Sequence, residues 1–222
     1  MSSNKGMTSS PLPQKRGGRL YGGESHAERA ARRRQQFLDA GLQVFGTTGY
    51  RTATVRQLCK QAALTDRYFY ESFENTEDLL IAVYTTHFAA LAHSVQTAVA
   101  QGLIAGDPMA AVHAGLEAVF QMVEDPRVAR ACWLEILGVS PRVDAVYCDT
   151  FERFAQLLVD FTTQAYPQAR LDADEAKALG LTLVGAISQS ITNNLLSPRP
   201  LSRRTLVDAN TRVFRGVMQT LA

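Results

Sequence analysis

The stretch from residue 54 to residue 80 constrains the fold of this chain more than any other. Its capping residues and apolar spacing define short helices within a few positions of each other. Thr54 suits an N-cap position, and the apolar residues that follow keep the spacing i, i+3, i+4 and i+7: Val55, Leu58, Cys59 and Ala62. This pattern predicts a short helix with one buried face, which Ala63 and Leu64 end in a tight turn.

A second short helix follows the turn. Thr65 is placed to cap it, and Phe69 and Phe73, four residues apart, point inward together. The outward positions are polar or aromatic: Asp66, Arg67, Tyr68 and Tyr70. Asn75 then caps a third helix, with Asp78 at its N3 position. Two short helices joined by a tight turn, the second with a polar outer face, are typical of a helix-turn-helix.

The block from Phe37 to Tyr84 resembles the DNA-binding domain of TetR-type transcriptional regulators. Four segments carry the resemblance: FLDAGLQVF at 37–45, the Gly49-Tyr50 pair with Thr54, FYESF at 69–73 and ENTEDLL at 74–80. The chain departs from the family at two positions. Ala63 stands where the family usually has Gly, so the turn must avoid a positive φ or accept strain, and Thr76 stands where a Lys is common.

The outer face of the second short helix is the predicted surface for reading bases. Its residues are Thr65, Asp66, Arg67 and Tyr68. Arg67 is suited to guanine O6 and N7, and Asp66 is suited to accept from cytosine N4. Arg56 is a second candidate for a base contact, while Thr54, Tyr70 and Thr76 are predicted phosphate anchors. For Tyr68, base contact and packing both remain open.

Charge is unevenly distributed along the chain. Residues 1–70 contain twelve Lys and Arg against four Asp and Glu, and residues 71–222 contain eleven against seventeen. A basic N-terminal third suits a polyanion such as double-stranded DNA, and cations near the start of the first long helix, Arg29 and Arg32 to Arg34, oppose the helix dipole and suggest a phosphate partner. Residues 1–23 are predicted to be a disordered basic tail, either a minor-groove arm or a passive extension.

The rest of the chain predicts an all-α protein of about nine helices, because no stretch alternates with a period of two. Pairs of a capping residue and Pro open helices at about 108, 126 and 141. The predicted spans are 24 or 25–45, 76–100, 108–123, 126–138, 141–165, 172–196 and from 202 onward. We divide the chain into the tail, a three-helix DNA-binding head at 24–85 and a helical ligand-binding and dimerisation domain at 86–222.

The last two helices carry apolar seams. The seam residues are Gly180, Val184, Ile187, Ile191 and Leu195, then Leu206, Ala209, Val213, Val217 and Leu221. Such seams fit either intrachain core or pairing with a second copy. The resemblance implies a homodimer joined through these helices, and therefore a near-palindromic DNA site.

The resemblance also implies a small apolar effector inside the C-terminal helices. The predicted lining residues are His113, Phe120, Trp133, Tyr147, Phe151 and Gln189, although aromatic residues at helical spacing also fit a plain core. The predicted function is a sequence-specific, homodimeric repressor that a small apolar ligand releases from its operator. The alternative is a similar DNA-binding protein without such an effector, either constitutive or controlled by a protein partner.

Other classes of function lack support in the sequence. Three widely spaced cysteines without CxxC spacing argue against a disulfide scaffold and against zinc. Enzyme motifs such as HExxH, GxSxG, GxxxxGK and GxGxxG are absent from the sequence, so we predict no enzyme activity, metal or cofactor. With no signal peptide in residues 1–23 and no 18-residue apolar span, we expect a cytoplasmic protein without a membrane partner.

Overall fold

The computed structural model describes residues 25–169 and 171–221, and the predicted tail lies outside them. Over these residues the chain forms nine α-helices and no strand, which confirms the all-α prediction. The helices are α1 His26–Thr47, α2 Val55–Ala62, α3 Asp66–Ser72, α4 Thr76–Ile104, α5 Pro108–Met122, α6 Pro126–Ala129, α7 Pro141–Ala165, α8 Ala173–Leu196 and α9 Arg203–Gln219.

Side-chain caps define most helix starts. The hydroxyl of Thr54 accepts from Gln57 N at 3.3 Å, and the Gln57 side chain reaches back to Thr54 N at 2.9 Å, which completes a capping box. The same type of N-cap opens α4, α5, α7, α8 and α9, through Asn75, Asp107, Ser140, Asp172 and Ser202. The predicted starts of these helices are therefore confirmed to within a residue.

Two predicted helix ends are wrong. Helix α4 continues past Gly102 to Ile104, and Gly102 lies so close to the backbone of Ala111 on α5 that a side chain would not fit. The helix predicted over 126–138 is the short α6 followed by a π-helical turn, Arg130–Leu134, which the hydrogen bond from Glu135 N to Arg130 O closes at 3.1 Å.

An aromatic core holds the N-terminal helices together. Phe37 on α1 is fully buried and meets Phe69 of α3 edge to face, with ring centroids 5.3 Å apart. Phe73 packs against Phe37 in the same way at 6.4 Å. Because α1 contacts α2, α3 and α4, this three-helix head is continuous with the long helix α4, which leads into the body, residues 86–221.

Of the two alternatives that the sequence left open for the seam of α8, the structure shows intrachain core for most of its residues. A Cβ added at Gly180 would lie 2.8 Å from the Ala155 carbonyl oxygen, so α8 packs its glycine directly onto α7. Val184, Ile187 and Ile191 face the interior of the body. The sequence could not separate the two alternatives because α8 has apolar residues on more than one side, and only its packing against α7 decides which side is inside.

Candidate nucleic-acid interface and adjoining cavity

The turn between α2 and α3 uses a left-handed residue. Ala63 has φ 54° and ψ 37°, and it is the only residue other than Gly with positive φ among those described. The turn is closed by hydrogen bonds from Ala63 N to Lys60 O at 3.3 Å and from Leu64 N to Cys59 O at 3.0 Å. The sequence left two possibilities for this turn, a conformation without positive φ or a strained one with it. Ala63 adopts positive φ and therefore bears the strain.

Helix α3 presents its polar side to solvent. Phe69 and Phe73 are buried in the head, whereas Thr65, Asp66, Arg67 and Tyr70 are exposed. The predicted cap at Thr65 is wrong in one respect, because its hydroxyl makes no capping hydrogen bond. That hydroxyl is therefore not used to hold the helix start, which suits a residue on a contact surface.

Tyr68 lies against the head. Its side chain is half-buried and packs on the aromatic core, and the Arg33 guanidinium lies 4.5 Å from its ring centroid. This placement favours packing over base contact for Tyr68. Tyr70, two residues further along α3, is 60% exposed, and its ring meets that of Phe69 edge to face.

Arg67 is held by a carboxylate that the sequence interpretation did not include. Arg67 Nε donates to Glu71 Oε1 at 3.1 Å, and Glu71 Oε2 lies 3.7 Å from Arg33 Nη2. The Arg67 side chain is 83% exposed, whereas that of Arg33 is 15% exposed. The spacing i, i+4 of Arg67 and Glu71 could have identified this pair, but the bridge to Arg33 on α1 required the fold.

The remaining predicted contacts lie on the helices before and after α3. Arg56 is exposed on the first turn of α2, and Thr76 is half-buried on the first turn of α4. The hydroxyl of Thr54 is already used in the capping box, where it also lies 3.1 Å from Gln57 Oε1. A phosphate bound at Thr54 would therefore meet the exposed start of α2 rather than a free hydroxyl.

Two of the cations at the start of α1 have partners within the head. Arg34 Nη1 donates to Ser72 O at 2.9 Å, and its guanidinium lies 4.3 Å from the Phe73 ring centroid. Arg33 bridges Glu71 and Tyr68 as described above. These contacts join α1 to α3, so the phosphate partner suggested for this cluster is not needed to explain Arg33 or Arg34.

The end of α1 is fastened to the body. Arg130 Nη1 donates to Thr47 O at 2.6 Å while Arg130 Nε donates to Glu135 Oε1 at 2.9 Å. Glu135 Oε2 in turn accepts from Tyr50 N at 2.8 Å. The π-helical turn, which carries Arg130, therefore contacts both the last turn of α1 and the residues that lead to α2.

Beside this junction, Arg127 adds a second contact with α1. Arg127 Nη1 donates to Gln43 Oε1 at 3.0 Å, and its hydrogen bonds to Asp125 hold the pKa of that carboxyl down, at about 2. A Cβ added at Gly46 would lie 2.5 Å from the Arg127 Cα, so α1 and α6 meet backbone to backbone at this glycine.

An apolar cavity lies in the body, next to the π-helical turn. Its volume is about 90 Å³, it opens to solvent at one side, and no charged side chain lines it among the described residues. Trp133, Tyr147 and Phe151, three of the predicted lining residues, contribute to its wall. Cys132 also lines it, and burial raises the pKa of that thiol to about 12, so the thiol stays neutral.

The other three predicted lining residues are not part of the cavity wall. His113 and Gln189 are exposed, and Gln189 donates to Asn193 on the surface of α8. Phe120, on α5, is 1% exposed and packs in the hydrophobic core. The polar residues that do line the cavity are Thr150 and Ser188, which the sequence interpretation missed because hydroxyls on helices carry no distinctive pattern.

The described residues contain no group of three or more His, Cys, Asp or Glu side chains arranged to hold a metal ion. None of the helices formed by these residues is long and apolar enough to cross a membrane.

One protein family matches part of the head. The family described as "Bacterial regulatory proteins, tetR family" matches residues 37–83, the part of the chain from the middle of α1 into α4. This match covers the turn, α3 and the aromatic core described above.

Longer similarities extend over the body. The chain is 25% identical over 201 residues to the HTH-type transcriptional activator FasR of Mycolicibacterium smegmatis, covering 89% of each protein. The fold is similar to that of the fatty acid degradation regulator FadR of Bacillus halodurans, with a TM-score of 0.71, 19% identity, and 83% and 95% of the two chains covered. FadR of Bacillus subtilis in complex with stearoyl-CoA gives a TM-score of 0.67 with 16% identity over 81% and 96%.

Proposed function

Because this chain is a DNA-binding transcriptional regulator of the TetR type, we propose that it binds a near-palindromic operator as a homodimer and represses transcription until an apolar ligand releases it. The observation that carries this proposal is the exposed polar face of α3, held on the buried aromatic core of the head, in a chain whose body also contains an apolar cavity. The proposal has three parts, on DNA, assembly and effector, each with its own support.

The DNA part assigns base reading to α3. The Arg67 side chain has the reach and exposure to meet guanine in the major groove, with Thr65 and Asp66 beside it. Arg56, Tyr70, Thr76 and the start of α2 at Thr54 lie around α3, where the DNA backbone would pass. Selection of bound sequences from a random duplex library tests this part, and the absence of any enriched, symmetric site would refute it.

Salt dependence provides a second test of DNA binding. Each phosphate that the head neutralises releases condensed counterions, so affinity should fall linearly on a plot of log K against log salt concentration. A flat plot would show that the head makes no ionic contacts with the DNA backbone. The plot should be measured on the selected site and on a scrambled duplex of the same length.

The dimer part assigns the interface to the outer sides of α8 and α9. Ala186 of α8 and Ala209 of α9 are exposed, and Val213 is 51% exposed. Nothing lies within 4 Å of a Cβ added at Gly185 or Gly216, so these helices have room for close approach by another chain. Of the predicted seams, Ala209 and Val213 remain on the outside, and a second copy would cover them.

The effector part assigns an extended alkyl or acyl chain to the cavity. On α4 the cavity wall runs from Phe88 to Val99, a distance of about 16 Å along the helix. On α7 it runs from Tyr147 to Phe161, or about 21 Å. A saturated chain advances about 1.3 Å per bond, from single bonds of about 1.5 Å at near-tetrahedral angles. The wall is thus as long as about 13 to 17 such bonds, and the cavity of about 90 Å³ must widen to admit a chain of that length. The structure of the similar FadR of Bacillus subtilis in complex with stearoyl-CoA supports a ligand of this kind.

A series of saturated acyl-CoA thioesters of increasing chain length tests the effector part. We expect the melting temperature to rise with chain length up to the length that fills the wall, and the same thioesters to release the selected DNA site. A charged headgroup should remain at the mouth, because burying a charge without a partner is costly. No thermal shift with any chain length would leave the alternative, a regulator without a small-molecule effector.

Activation is the second candidate for the direction of control. The name of the similar Mycolicibacterium smegmatis protein, a transcriptional activator, favours it. A reporter with the selected site placed either over or upstream of a promoter separates the two. Lower expression with the site over the promoter supports repression, and higher expression from the upstream site supports activation.

A further inference from the structure

Glu71 occupies an unusual position for an acidic residue, because it lies on the helix proposed to face DNA. A carboxylate there repels phosphates and lowers general affinity for DNA. Its ion pair with Arg67 is exposed, and pairs of this kind contribute little to stability. General DNA affinity therefore does not account for Glu71, and its contact with Arg33, which joins α1 to α3, does not account for its second contact with Arg67.

The contacts of Glu71 connect a largely buried arginine with an exposed one. Arg33, which is 15% exposed and lies against the Tyr68 ring, approaches one carboxylate oxygen. Arg67, which is 83% exposed, donates its Nε to the other. The carboxylate is thereby anchored on the α1 side, and it restrains a guanidinium that would otherwise sample many orientations.

The nitrogen through which Arg67 binds Glu71 determines which of its N–H groups remain available for a contact with DNA. With Nε of Arg67 bound to Glu71, its two Nη nitrogens have no hydrogen-bond partner among the described residues. Two terminal N–H groups in one plane match guanine O6 and N7 end-on. A guanidinium oriented in advance loses less freedom when it binds.

We propose that Glu71, anchored by Arg33, is a positioning residue that presents the terminal nitrogens of Arg67 for end-on recognition of one guanine. The proposal rests on the sequence-specific DNA binding inferred above. It makes Glu71 a determinant of specificity that lowers general affinity and raises discrimination at one base pair.

Glu71→Gln tests the proposal against Asp149→Asn as a matched control. Asp149 also pairs with an arginine at i+4, Arg153, at 2.7 Å, but it lies on α7 outside the head. Each variant removes one negative charge from an exposed pair. Affinity is measured at fixed salt for a duplex selected from a random library, for its single-base-pair substitutions, and for a scrambled duplex.

For Glu71→Gln we expect unchanged or tighter binding to the scrambled duplex and a loss of about tenfold in discrimination at one position, within the range for a bidentate contact. The same position should be affected by Arg67→Ala, and adding Glu71→Gln to Arg67→Ala should cause no further loss there. Asp149→Asn should leave discrimination unchanged. Retained binding of scrambled duplex shows that the variant is folded.

Three results would overturn the proposal. Unchanged discrimination in Glu71→Gln would make the pair an ordinary solvated one, and a loss at a different base pair would mean that Glu71 itself contacts a base. A further loss in the Arg67→Ala background would show that Glu71 acts independently of Arg67. If the wild-type protein itself selects no sequence, the proposed function fails as well, which separates that failure from these three.

Discussion

At the residue scale, the exposure of the Arg67 side chain allows its proposed contact with a base to be tested without unfolding the head. Its side chain is 83% exposed, and within the described part of the chain Glu71 is the only partner of its guanidinium, so removing the side chain should leave the head folded. We expect Arg67→Ala to weaken binding to the selected duplex by about 1–3 kcal/mol, the value of one bidentate base contact. Titration at fixed salt measures this, with Arg153→Ala as a control for the loss of one positive charge. Equal effects of the two variants would contradict a base contact.

Ala63 adopts a left-handed backbone conformation, which costs free energy of folding and which the sequence left as one of two possibilities. An L-residue in the left-handed region costs about 1–2 kcal/mol, while glycine adds about 0.4–1 kcal/mol of freedom to the unfolded chain. Since Ala63 is exposed and lies at φ 54°, we expect Ala63→Gly to raise the free energy of unfolding by about 0.5–1 kcal/mol. Urea denaturation measures it, and a destabilised variant would argue against this turn geometry.

At the element scale, the junction between α1, α6 and the π-helical turn connects the head with the cavity. Arg130 and Glu135 flank Cys132 and Trp133, which line the cavity, and they hold Thr47 and Tyr50 on the head side. A ligand that displaces the turn would therefore change contacts with the end of α1. This gives the proposed effector a physical route to the DNA-reading helix.

Gly46→Ala tests how tightly these elements are joined. The added Cβ would lie 2.5 Å from the Arg127 Cα, which is backbone and cannot rotate away, so α1 and α6 must separate. We expect a loss of about 1–3 kcal/mol in the free energy of unfolding, measured in urea. Gly115→Ala is the control, because its Cβ would make only ordinary contacts at 3.8 Å and should be neutral or stabilising. Similar results for both variants would contradict the close approach.

At the scale of the whole molecule, the proposed dimer places two heads on one DNA site. Val213 is 51% exposed on the outer side of α9, and a second copy would bury it. We expect Val213→Glu to give a monomer in sedimentation analysis and to weaken operator binding by about 100-fold, since two linked contacts become one.

Ile104→Glu is the matched control for this prediction. Ile104 is 87% exposed at the end of α4, on a surface that the proposed dimer does not use. That variant should keep the oligomeric state and the operator affinity of the wild-type protein. A Val213→Glu protein that stays dimeric would exclude this face as the interface.

Local chemistry in the sequence determined where helices begin. Side chains such as Thr54, Asn75 and Ser140 cap backbone amides two or three residues away, so their hydrogen bonds depend on the nearest neighbours alone. The head was predictable for the same reason, because its turn, caps and aromatic pair lie within about thirty residues of each other.

The tertiary structure decided which faces are inside and which groups meet. Helix α8 carries apolar residues on several sides, and its contact with α7 turned Val184 and Ile187 toward the cavity while leaving Gln189 outside. The bridge from Arg33 to Glu71 joins residues on different helices, so no spacing in the sequence could predict it. Burial and pairing over such distances depend on how whole helices pack, and that information exists only once the chain is folded.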